Sequence, residues 1–241
     1  MLALVSAPLA YGGAPKVPFF ENLVILLLSA VLAIAMILAL LSAVFRWGWK
    51  AQYYGFSFLC AVGISFLGIV PFLVAVLYGE APYWVKLIII LVYGGSHYFW
   101  CRKFTAVYKN IFNNENLRSE IYEEEGDAVY YMRRGDEFLL DKHYKFSQTP
   151  RDWHFVIFIV IALLMAPMMK AISTFLGIPF VHIFLLVAML PVSWMGIGFA
   201  VRGFLIFYLY PAKIKRATGK DVFVDLASKH RPLIKPARSS T

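Results

Sequence analysis

Long apolar runs separated by short charged stretches dominate the pattern of this chain. A helix needs about 20 apolar residues to cross the hydrocarbon core of a bilayer. The run 23–45 meets that length without a charge, and 54–78 does so with Pro71 in its second half. A third run, 83–101, carries Lys86 near one end and His97 near the other. The fourth, 154–176, is interrupted by Pro167 and Lys170, and the fifth, 180–201, closes at Arg202. Backbone groups in lipid must be satisfied within their own segment, so each run is predicted to be helical. The predicted fold class is an all-α polytopic membrane protein of about five transmembrane helices with a small cytoplasmic α+β loop region. Four regions follow: 1–101 with three spans, the loop 102–153, 154–201 with two spans, and a basic tail, 202–241.

Direction follows from the Lys/Arg bias of the connections. Arg46 and Lys50 place the first link inside, while 79–82 has no Lys or Arg and goes outside. Arg102, Lys103 and Lys109 hold the long loop inside. Arg202, Lys213, Lys215 and Arg216 do the same for the tail. The prediction is N-outside, C-inside, in the cell inner (plasma) membrane. Trp47, Trp49, Tyr53, Tyr83, Trp84, Trp100 and Trp153 fall where aromatic belts belong. Gly55, Gly63 and Gly68, with Gly196, Gly198 and Gly203, permit close helix contact.

In the loop, Phe104, Val107, Ile111 and Phe112 recur at helical spacing, which predicts that the third helix runs on along the membrane surface. Asn113 and Asn114 predict a break, and 115–125 a second helix ending in an acidic run. Residues 128–134 and 137–142 flank Gly135-Asp136, a two-residue hairpin turn. An isolated hairpin is marginal in water, so it should pack on the preceding helix or take a third strand from 221–226. The Arg134-Gly135-Asp136 triplet reads as turn chemistry.

Composition supports this picture: 61% of residues are hydrophobic and 15% charged, where a soluble domain is about half apolar. The net charge of +9 sits largely beside apolar runs, which points to anionic lipid headgroups rather than nucleic acid. The loop 102–153 carries 9 Lys/Arg against 10 Asp/Glu, and 211–241 carries 8 against 2. The two pieces have opposite net charge and could pair, although lipid phosphates are the favoured partner of the tail. Cys60 and Cys101 are the only cysteines and make no disulfide framework. The stretch 1–14 lacks a basic n-region, so no cleaved signal peptide is expected.

Candidate chemistry is sparse. No Asp or Glu lies inside an assigned span, which argues against a proton- or sodium-coupled transporter. At about 1.5 Å rise per residue, His97 and His182 differ in depth by roughly 20 Å and cannot share a metal or haem. The same separation excludes Ser96 and His182 as a serine-protease pair. The stretch Gly94-Gly95-Ser96-His97 reads as a helix contact with polar residues. Cys60, His97, Cys101 and His154 form the one weak metal set, with the donor types that suit zinc but without its spacing. Lys86, Lys170 and His182 form a possible outer-face anion contact, although each lysine can snorkel to headgroups. No catalytic set and no cofactor site is expected. The functional expectation is a multi-pass protein acting by protein–protein contact. It would be an accessory subunit of a membrane complex or an immunity-type protein, partnered by lipid and by another membrane protein or a second copy. A small transporter or channel subunit is the alternative. A membrane-embedded lipid-modifying enzyme, working around His143, His154 and the acidic loop, is the second.

Overall fold

The computed structural model describes residues 2–44, 50–60, 66–132 and 152–225. Helix α1 (Leu2–Gly13) leads through a short 3-10 turn to α2 (Leu23–Val44). Then come α3 (Ala51–Cys60), α4 (Phe66–Leu77) and α5 (Tyr83–Asn113). A small module follows, made of α6 (Glu115–Ile121) and the strands β1 (Tyr122–Glu125) and β2 (Ala128–Met132). The chain returns through α7 (Asp152–Leu164), α8 (Ala166–Leu176), α9 (Phe180–Ala188) and α10 (Leu190–Phe204). A π-helical turn (Leu205–Leu209), α11 (Tyr210–Thr218) and β3 (Asp221–Asp225) complete it.

The bundle has two distinct ends. At the far end Asn22, fully buried, caps α2: its Oδ1 accepts from the N–H groups of Val24 (3.0 Å) and Ile25 (3.3 Å). Its Nδ2 donates to the Ala10 carbonyl at 3.3 Å, and the Leu23 N–H donates to the Tyr78 hydroxyl at 2.7 Å. These bonds tie α1, α2 and the end of α4 together around Val24, Val70, Val74, Met169 and Ile183. At the sheet end, Val107, Tyr108 and Ile111 of α5 meet Tyr122, Val129, Tyr131, Phe207, Tyr210 and Val222. Helices α5 and α10 run side by side toward this end. The contacts Tyr93 to Ser193, Ser96 to Trp194 and Phe104 to Gly198 advance together along both.

Two helices are long and apolar enough to cross a membrane: Tyr83–Asn113, of 31 residues, and the continuous stretch Leu190–Thr218, of 29. The pair α7 and α8 qualifies only jointly and is bent by 74°. The described residues thus supply two such helices, or three with the bent pair, and not five separate ones. Helix α2 is unbroken over 22 residues, with Leu23–Ile34 as its described apolar part. The expected fifth span, 180–201, is interrupted at Met189 because Pro191 lies in the first turn of α10. Proline has no N–H to donate and its ring collides with the carbonyl four residues back, so the helix stops and restarts. Pro167 in the first turn of α8 ends α7 in the same way. The boundary expected at 202 falls inside the continuous helix Leu190–Thr218.

The loop also departs from expectation. Helix α5 continues unbroken to Asn113, and Phe104, Val107 and Ile111 are buried in the protein's own core rather than laid on a membrane surface. Asn114 makes the expected break and caps α6, its Oδ1 accepting from Asn116 and Leu117. The second helix ends at Ile121, not 125, and Glu123, Glu124 and Glu125 lie on β1. A run of carboxylates opposes the negative end of a helix dipole, whereas a strand turns Tyr122 inward and leaves the glutamates in solvent.

The hairpin turn is Gly126-Asp127, with Gly126 at φ 57°, a left-handed value that suits a tight two-residue turn. β1 pairs antiparallel with β2, and β3 pairs parallel with β2's other edge, Ala128 opposite Asp221 and Met132 opposite Asp225. Both edges of β2 are therefore taken. The expected pairing of 128–134 with 137–142 has no free edge over Ala128–Met132, and Gly135, Asp136 and 137–142 lie outside the described residues.

The sheet docks on the bundle through a defect in the last helix. In the π-helical turn the Tyr210 N–H donates to the Leu205 carbonyl. The Ile206 carbonyl would then look to residue 211, but that residue is Pro211 and has no N–H. The Tyr122 hydroxyl donates to this carbonyl instead. A buried acceptor left bare would cost about 1–3 kcal/mol.

Asp221, at the start of β3, joins α3, α11 and the sheet by accepting from Lys215 at 2.7 Å and from Lys50 at 2.8 Å. Hydrogen bonds from Lys215 and then Lys50 hold the Asp221 carboxyl below its ordinary range. The hydrogen bond to Asp221 raises the Lys50 ammonium above its own. A depressed carboxyl stabilises above the unfolded-state value of about 3.9 and fails as pH falls through the folded-state value. The raised lysine stabilises below about 10.4 and fails as pH rises through its folded-state value. Asp221→Asn is expected to cost about 1 kcal/mol, since the side chains are roughly a third to a half exposed and such pairs are screened. Unfolding midpoints measured across pH should show the gap from the parent protein only between those limits. A gap that persists at strongly acid pH would assign the loss to something other than the ion pairs.

Candidate functional site

Polar groups between α5 and α10 form a seam within the bundle. The Tyr93 hydroxyl donates to Ser193 Oγ at 3.2 Å, and Ser193 Oγ donates to the Met189 carbonyl at 3.3 Å. Trp194 Nε1 donates to Ser96 Oγ at 3.1 Å. Phe72 of α4 stacks on Tyr93 with ring centroids 4.1 Å apart, and His97 stacks beside it at 4.0 Å.

Ser96 and His97 are close, with Oγ and Nδ1 3.4 Å apart, but they are not a nucleophile and its base. Both donate to the Tyr93 carbonyl, Ser96 Oγ at 2.8 Å and His97 Nδ1 at 2.7 Å. A nitrogen that carries a proton toward a carbonyl cannot take one from a serine. The other ring nitrogen, Nε2, is buried without a hydrogen-bond partner among the described residues. The seam is a fastening between helices, with its donors used internally.

The remaining expected site residues are dispersed. His154 stacks on Trp153 at 3.7 Å and meets the edge of Trp100, while Cys101 is half-buried on α5. The side chain of Cys60 lies outside the described set. No group of three His, Cys, Asp or Glu side chains is gathered to hold a metal among the described residues. His182 is buried at 3% exposure, and its Nε2 donates to the Leu9 carbonyl at 2.7 Å. A Cβ on Gly13 would stand 2.5 Å from that nitrogen. His182 therefore pins α1 to α9 and is withdrawn from any surface cluster with Lys86, half-buried, and Lys170, exposed.

Among the described residues, an open site lies at the sheet end. A groove of about 600 Å³ runs between α6 with β1 on one side and α11 on the other. Phe112, Tyr122, Val129, Ile214 and Ala217 supply its carbon surface, and Glu115, Glu123, Glu124, Arg118 and Lys213 its charges. Phe112 and Tyr210 stack at 4.0 Å. Arg118 and Lys213 both lie over the Phe112 ring, 5.6 and 5.9 Å from its centroid. Arg118 is loosely paired with Glu115 at 3.6 Å and Lys220 with Glu124 at 3.3 Å. These pairs are exposed and separate cheaply, so the rim can exchange partners with an incoming chain.

The loop's acidity and the tail's basicity were visible in the sequence and allowed the two pieces to pair, but the open groove between α6 and α11 was not. Tyr93, Ser193 and Trp194 were missed because nothing local marks a contact between helices 100 residues apart. Compared with family models, curated proteins and solved structures, the chain matches none.

Proposed function

We propose that this chain is a multi-pass membrane protein that acts by protein–protein contact, and that the groove at the sheet end receives the partner. An accessory subunit of an inner-membrane assembly or an immunity-type protein would both use such a surface. The groove carries this reading: it joins a carbon floor to a rim of both charge signs, the mixture typical of a protein contact surface. The interior argues for no chemistry of its own. Between residues 81 and 114, and again between 153 and 220, there is no Asp or Glu, and the seam's donors are spent on each other. The 74° bend between α7 and α8 favours the second reading, a transporter or channel subunit built on broken helices. That reading lacks an ion-binding carboxylate.

The proposed orientation is N-outside and C-inside, with the sheet on the inner side. Several features support it. The N-termini of α2 and α5 lie at the far end, while Lys50, just before α3, bridges to Phe223 at the sheet end. Among the described residues, Lys50, Arg118, Lys213, Lys215 and Lys220 stand at the sheet end.

A photo-crosslinking residue at Ser119 or Ala217, placed in the chain in living cells, tests the contact. One defined adduct is expected. The double substitution Glu123→Lys with Lys213→Glu should weaken it about tenfold or more, near 1.4 kcal/mol, without changing protein level or elution in detergent. An adduct indifferent to the charge reversal would sink the reading. So would a chain purified in full yield with no adduct at all.

A further inference from the structure

Helix α8 carries a pattern that the protein-contact reading does not use. It has 11 residues, about 17 Å, too short for a hydrocarbon core of about 30 Å. It leaves α7 at 74° and stops at Gly177, whose φ of 65° is left-handed. Its end is fixed at the far end of the bundle, where the Glu80 N–H donates to the Leu176 carbonyl at 2.7 Å. Glu80 marks water there, because its carboxylate pairs with Lys16 at 3.5 Å and their side chains are 68% and 90% exposed.

Successive residues turn by roughly 100° about the helix axis, which sorts α8 into three faces. Met169, Ile172 and Leu176 face the bundle, in the core with Val74 and Ile183. Met168, Ala171 and Phe175 form a second stripe, open and apolar, with Met168 63% and Phe175 57% exposed. Pro167, Lys170 and Thr174 form a third, exposed and more polar. The apolar stripe continues the outer surface of α7, where Val160, Leu163 and Leu164 are exposed. A helix that crosses lipid has no use for a polar stripe along its length. A helix at a water–lipid boundary, docked on a protein, needs all three faces.

We propose that α8 lies in the plane of the membrane at the surface away from the sheet. Met168, Ala171 and Phe175 enter the acyl chains, and Lys170 reaches the headgroup phosphates. The proposal rests on reading the chain as membrane-spanning, so its test must separate the two.

The test uses the full chain with Cys60→Ser and Cys101→Ser. Single cysteines replace Met168, Lys170, Thr174 or Phe175 and carry an environment-sensitive fluorophore. The protein is held in vesicles of phosphatidylcholine and phosphatidylglycerol. Labels at 168 and 175 should lose most of their fluorescence to shallow spin-labelled lipid, and those at 170 and 174 to aqueous iodide. Loss at all four sites to deep lipid labels alone would make α8 a re-entrant element and overturn the proposal. Loss to iodide alone would remove lipid contact. Protection of 168 and 175 from both quenchers would mean that a protein covers the stripe. Labels at Val160 and Leu163 on α7 report the membrane reading separately, and lipid quenching there without it on α8 sinks only the proposal. On the unsubstituted chain, a membrane-impermeant amine reagent should modify Lys170, and a Lys170 that stays unmodified counts against it.

Discussion

Gly55→Leu is expected to prevent the chain from reaching its native packing, seen as loss of the monodisperse peak in detergent. Gly55 stands on α3 against the π-helical turn, and a Cβ there would fall on the Phe207 Cβ and 3.2 Å from the Gly203 carbonyl. Neither obstacle is the tip of a side chain that can swing away. One is bonded to backbone and the other is backbone, so α3 itself must move. Overpacking of this kind costs about 1–3 kcal/mol or more, and here it also displaces Lys50, one turn away, from Asp221. Gly94 and Gly95 are the contrast, since a Cβ at either meets nothing within 4 Å. Alanine at those two positions should stabilise the fold by about 0.5–1 kcal/mol each and so raise the unfolding midpoint, because glycine is a poor helix residue. Equal damage at 55 and 94 would show that the α3 contact is not tight.

Phe207→Ala is expected to cost about 3–5 kcal/mol and to loosen the sheet from the bundle. Phe207 is 2% exposed, and its ring meets Tyr54 at 5.1 Å and Tyr131 at 4.8 Å, both edge-on. These contacts connect three places far apart in sequence: the first turn of α3, the last helix and the middle strand. Limited proteolysis should show the change at β2 and β3 before it shows at the far end. Uniform loss of protection would mean that the chain unfolds as one unit and that the sheet has no separate docking step.

The apolar runs predicted helices in the right places because burial in lipid or protein selects the same composition. They did not predict where helices end. The run 180–201 is free of charge until Arg202, yet Pro191 divides it, because a break depends on a missing N–H rather than on hydropathy. Expecting a strand at 221–226 was sound: Asp221–Asp225 is one. The hairpin slipped by one Gly-Asp pair, since 126–127 and 135–136 offer the same turn chemistry and only the pairing of Tyr122 with Tyr131 distinguishes them. Register of that kind is set by which side chains become buried, and β3 decides it from 90 residues away. The site was less legible than the fold. Ser96 and His97 stood out by their types, but what neutralises them is the geometry of one carbonyl, which no spacing reveals.

The parallel pairing of β2 with β3 has a consequence for biogenesis. The two strands reach the sheet from the α5 side and from the stretch 190–218, and they meet because both helices deliver their C-terminal ends to the same end of the bundle. In the proposed membrane-spanning orientation, that end lies on one side of the bilayer. A chain whose last helix inserted backwards would leave β2 with one edge bare, Tyr122 without its acceptor and the core around Phe207 open to water. In that orientation, closing the sheet would act as a check on insertion: the sheet would close only on a correctly threaded chain, and β3 is made after every described helix. Misthreaded copies would expose a bare strand edge to the proteases that clear failed membrane proteins.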